Sequence, residues 1–121
     1  MHDAAQAYRK IARTVGNPRE IEANLLLHAA SQLQSIQDRW EGKKRDLDGA
    51  LLFNRKLWTI FLTSATEPEN PLPAEIRQNV ANLGLFVVKH TLSILADPRP
   101  DKLSSLIGIN RDIASGLLGR A

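Results

Sequence analysis

The sequence predicts an all-α fold, a single compact bundle of about five helices, on three observations. Apolar residues recur every three to four positions along nearly the whole chain, no stretch alternates apolar and polar residues long enough for a strand, and capping residues, prolines and glycines separate the periodic segments. With 121 residues the chain suits one domain, 1–121, around one core. Its 43% hydrophobic and 24% charged residues exclude a disordered or low-complexity chain.

The first segment, 3–15, takes Asp3 as N-cap and Gly16 as C′ residue, with Ala4, Ala7, Tyr8, Ile11, Ala12 and Val15 forming its apolar face. The second carries the clearest start signal. Asn17 caps, Pro18 suits the first turn and Glu20 completes a capping box, after which Ile21, Leu25, Ala29, Leu33, Ile36 and Trp40 make a stripe that Gly42 should end. The third is expected from after Asp46 to Ala65. Leu47, Leu51, Asn54, Trp58, Phe61, Leu62 and Ala65 share one face while Phe53, Leu57 and Ile60 share another, so this helix is expected to be central, packed from two sides.

Three prolines between Glu67 and Pro73 predict a stiff loop. The fourth helix starts at Pro73, with Ile76, Val80, Leu83, Val87 and Ile94 on one side and Leu85, Val88, Leu92 and Leu95 on another, and is likewise expected to be central. After Asp97-Pro98-Arg99-Pro100, Asp101 is expected to cap a last helix with Leu103, Leu106, Ile107, Ile113, Ala114 and Leu117 inward, ending before Gly119. There is no internal repeat and no domain boundary.

Residue chemistry excludes more than it assigns. Without cysteine there is no disulfide, thiolate nucleophile or cysteine-ligated metal. His2, His28 and His90 have no second histidine or carboxylate at helical ligand spacing, so no metal is expected, and no cofactor motif is present. No Gly-x-Ser-x-Gly turn or phosphate loop occurs, and the paired carboxylates Glu20/Glu22 and Asp46/Asp48 fall at helix starts. An enzyme is not expected. The start Met-His-Asp-Ala-Ala does not read as a secretion signal and no apolar run suggests membrane insertion, which points to the cytoplasm. The net charge of +3 changes sign along the chain, and only Lys43-Lys44-Arg45 is compact, at a helix end where cations are favoured. RNA binding is therefore expected to be weak or indirect.

Asparagines are the unusual feature. Asn54 and Asn110 fall inside apolar stripes, Asn79 and Asn82 border another, and Arg55 and Arg111 adjoin two of them. Inward amides need partners, since an unpaired buried one costs about 1–3 kcal/mol. They read either as an internal network or as the polar part of a partner-binding groove; Trp40 and Trp58 likewise read as core anchors or interface residues.

These blocks carry a resemblance. Ala5-Gln6-Ala7-Tyr8, Pro18-Arg19-Glu20-Ile21-Glu22, Asn54-Arg55-Lys56-Leu57-Trp58-Thr59, Asn70-Pro71-Leu72-Pro73, Ile76 to Leu83 and Ile109-Asn110-Arg111-Asp112-Ile113-Ala114 resemble, in order and spacing, the FlaF family of alphaproteobacterial flagellar regulators, over nearly the whole chain. The resemblance implies a small non-enzymatic cytoplasmic protein needed for flagellin synthesis and secretion, acting with or against the translational regulator FlbT. Two mechanisms are consistent with it: direct binding of flagellin as a chaperone or adaptor, or action on flagellin translation through its messenger RNA or FlbT. The partner-binding residues expected on the recognisable blocks are Asn54, Arg55, Trp58, Asn79, Asn82, Asn110 and Arg111. The oligomeric state is not encoded in any of these blocks.

Overall fold

The computed structural model describes residues 18–119, of which 86% are helical, with no strand among them. The helix expected over 3–15, with Asp3 and Gly16 at its ends, and the cap at Asn17 lie outside the described residues. Four long helices follow: α1 (Pro18–Asp38), α2 (Leu47–Ala65), α3 (Ala74–Ala96) and α4 (Leu103–Leu117).

Helix α1 starts at its proline with Glu20 in the first turn, where a carboxylate meets the positive end of the helix dipole. Its buried face is Ala23, Leu26, Ala29, Ala30, Leu33 and Ile36, while Ile21, Leu25 and Trp40 of the expected stripe are only half-buried. The reason is size. Alanines at 23, 29 and 30 leave room for a close neighbour, and the α1 and α4 pair forms the most extensive packing in the molecule.

Gly42 does not end this helix. The break falls earlier, at Arg39, whose φ of −124° and ψ of 44° leave helical geometry. A four-residue turn, Trp40–Lys43, and a 3-10 turn, Lys44–Asp46, then lead directly into α2. This elbow replaces a loop. Asp46 keeps helical dihedrals and makes no side-chain cap.

Helix α2 is central, as its two apolar faces predict. It packs on both α1 and α3, burying Leu47, Ala50, Leu51, Asn54, Leu57, Trp58, Phe61 and Ala65. In the proline-rich loop, Asn70 Nδ2 donates to the Ser64 carbonyl at 3.0 Å and Asn70 Oδ1 accepts from the Leu72 amide at 2.9 Å, while the Leu72 side chain is buried. This Asx-type turn orients the chain into α3.

Helix α3 corrects the sequence reading most. It is not central: it packs on α2, touches α4 only sparsely, and buries Val80, Gly84, Val87, Thr91 and Ile94 alone. Gly84 sets the close approach, since a Cβ there would lie 2.5 Å from Leu62 Cδ1. Ile76, expected inward, is exposed. Over 18 residues α3 has a mean hydropathy of 1.3, so by length and composition it could cross a membrane, which the sequence reading had not anticipated. Only 28% of that stretch is buried.

Asp101 does not cap α4. It lies in a 3-10 turn, Pro100–Lys102, whose side chains stitch the α3 to α4 connection instead. Arg99 reaches Asp97 at 3.2 Å and Asp101 at 3.8 Å, Lys102 Nζ donates to the Ser93 carbonyl at 3.1 Å, and His90 Nε2 donates to the Lys102 carbonyl at 2.7 Å. Helix α4 buries Leu103, Leu106, Ile107, Asn110 and Ala114, and Gly119 follows it with φ of 74°, the left-handed geometry that favours glycine after a helix end.

Candidate functional site

Three of the seven residues expected to meet a partner meet each other instead. Asn54 and Asn110 are 0% exposed and Trp58 is 1% exposed. The Trp58 indole Nε1 donates to Asn110 Oδ1 at 2.9 Å, while Asn110 Nδ2 donates to Asn54 Oδ1 at 2.7 Å and to the Leu26 carbonyl at 3.3 Å. One amide thus joins α1, α2 and α4. Asn54 Nδ2 is buried with no acceptor. A partner cannot reach these groups while the bundle is closed, so they belong to its interior and not to a binding groove.

The other four are exposed but scattered over three helices. Arg55 lies on α2, Asn79 and Asn82 on α3, and Arg111 on α4. Gln78 Nε2 donates to Asn82 Oδ1 at 3.1 Å, one turn away on the same helix, which is a surface pairing. Two histidines lie against aromatic rings: His28 and Phe53 meet edge to face with centroids 5.7 Å apart, and His90 stacks on Phe86 at 5.1 Å, while His2 lies outside the described residues. Among the described residues no three His, Asp or Glu side chains gather as a metal site.

What the sequence reading missed is the outer face of α3. Leu85, Val88, Leu92 and Leu95, read as packed inward, are exposed, Leu85 to 58% and Leu92 to 57%. With half-buried Ala81 they recur at alternating steps of four and three residues, the spacing that keeps one straight seam along a helix. The periodicity was visible in the chain; the missing signal was how few neighbours α3 has.

The basic cluster lies elsewhere. Lys43 Nζ donates to Ser35 Oγ at 2.8 Å, Lys44 pairs with Glu41 at 3.1 Å, and Lys43 and Arg45 line an open cleft of about 610 Å³ with Ser31, Gln32, Ser35 and Asp46. Two of its three cations are thus already engaged locally.

No curated protein and no solved structure matches this chain. A family model does, that of the flagellar protein FlaF, over residues 4–117. That span includes the polar core, the exposed seam and the proline-rich loop, and on it the chain belongs to the flagellar protein FlaF family.

Proposed function

We propose that this chain is a non-enzymatic flagellar factor that binds flagellin in the cytoplasm, as a chaperone or adaptor, and so promotes flagellin synthesis and secretion. The observation that supports this reading is the uncovered seam Leu85, Val88, Leu92 and Leu95 on α3. A large contiguous apolar strip on a small domain is costly to leave in water and is the usual mark of a docking surface. The directional contacts once expected of Asn54 and Asn110 are spent inside the bundle. The binding role therefore passes to α3.

Co-purification with monomeric flagellin, and separately with FlbT, tests the reading. Retention of flagellin in nuclease-treated samples is the expected result. Binding to FlbT with none to flagellin would reject it in favour of action on translation.

The translational alternative rests on Lys43, Lys44 and Arg45 beside their cleft. Three cations neutralise about three phosphates, so the logarithm of RNA affinity should fall against that of salt with a slope of about −2 to −3. Electrophoretic mobility shifts with the flagellin message should therefore show weak, sequence-independent binding that disappears at moderate salt. Tight binding held at physiological salt and dependent on sequence would support the translational role instead.

A further inference from the structure

We infer that the α3 seam receives one helix of its partner, side by side along α3, and that this incoming helix carries carboxylates flanking an apolar stripe of matching heptad spacing. The inference deepens the flagellin reading and rests on it for the identity of the partner.

Geometry supplies the first half. Ala81, Leu85, Val88, Leu92 and Leu95 follow steps of four, three, four and three, so they stay on one line for about 21 Å at 1.5 Å per residue. An irregular peptide or a flat surface needs no such regularity. A second helix does, because alternate three and four steps let its side chains seat between those of α3 at a crossing angle of about +20°.

Charge supplies the second half. Arg55 and Lys56 on α2 and Lys89 on α3 are exposed, and none joins an ion pair among the described residues. Leu62 meets Gly84, and the two helices run antiparallel through a short loop. Counting back from Leu62 to Lys56 covers about 9 Å, and counting forward from Gly84 to Lys89 about 7.5 Å. By this count the three cations stand at nearly one level of the α2 and α3 hairpin, level with the middle of the seam, and Lys89 adjoins Val88 on α3 itself. Acidic residues on the incoming helix would meet them, which favours on-rate and orientation. A second copy of this chain docked along the seam would bring its own cations to the same level, which argues against self-association.

The test measures affinity for monomeric flagellin by titration calorimetry, using Leu85→Glu/Leu92→Glu, Lys89→Glu and, as a control, Asp112→Asn on exposed α4. Circular dichroism first establishes that each is folded, as exposed positions should permit. The double variant should lose about 30-fold or more in affinity, because two large apolar anchors leave the seam. Lys89→Glu should lose about 3- to 10-fold at low salt, with the deficit shrinking as salt rises, and the control should be unchanged. Parental affinity in the double variant would overturn the seam assignment and leave flagellin binding standing. An unchanged Lys89→Glu at low salt would overturn the acidic flank. No complex with the parent protein would remove both readings, as would a parent that instead dimerises, or that binds anionic phosphatidylglycerol vesicles, through Leu85 and Leu92.

Discussion

Trp58→Ala is expected to lower stability by about 3–5 kcal/mol, the range for deleting a fully buried aromatic. Trp58 sits on the central helix, 1% exposed, with its ring edge to face with Phe61 at 5.5 Å. The substitution opens a cavity between packed helices and also removes the donor to Asn110 Oδ1. For a domain whose total stability is about 5–15 kcal/mol, much of the margin is lost. The thermal midpoint should fall by roughly 15–25 °C, read by circular dichroism. Trp58→Phe separates the two contributions, since it keeps most of the packing and loses the N–H; it should cost about 1–3 kcal/mol. A Trp58→Ala protein that melts with the parent would show that the indole does not hold the core.

The second large effect is an asymmetry between two asparagines of equal burial. Asn110→Leu strands the Trp58 indole N–H and Asn54 Oδ1 together, and takes a donor from the Leu26 carbonyl. Orphaned buried groups cost about 1–3 kcal/mol each before relaxation, so a loss of about 3 kcal/mol is expected. Asn54→Leu should change stability by less than about 1 kcal/mol. It removes one acceptor, leaves Asn110 bonded to Leu26, and also removes the Nδ2 that has no acceptor now, so gain and loss nearly cancel. Denaturant unfolding of both variants decides it. Equal losses would mean that the amides contribute by volume and not by their hydrogen bonds.

Element positions were largely legible in the chain because their signals are local. Gly119, Pro73 and the prolines around Asn70 mark ends through the conformations their own backbones allow. Arg39 carries no such signature, so the true end of α1 was not visible, and the helical elbow after it left Asp46 nothing to cap. Asp101 shows the same limit, its carboxylate being drawn to Arg99 by the fold of the connection. Face assignment failed where it depended on neighbours. Periodicity told that Leu85 and Leu92 share a face with Val88, but whether anything covers that face depends on where α4 lies. Helix α4 packs along the alanine-rich side of α1, leaving the outer side of α3 bare. The asparagines show a related gap. Trp58 and Asn110 are 52 positions apart, and only their distance in space separates a network from a groove.

Helix α3 is anchored at both ends by contacts outside its exposed seam. Asn70 and buried Leu72 secure its entry, while His90, Lys102 and Asp97 secure its exit. Its apolar stripe is therefore presented on a scaffold that is already ordered, and association requires no folding of the receiving side. For the proposed complex, most of the loss of backbone freedom would then fall on the incoming segment. In kinetic terms, encounter should be limited by diffusion and orientation, not by rearrangement of this protein, so substitutions along the stripe should act through residence time far more than through association rate. If the proposed partner docks there, capture would be fast and the strength of the hold would be set one side chain at a time.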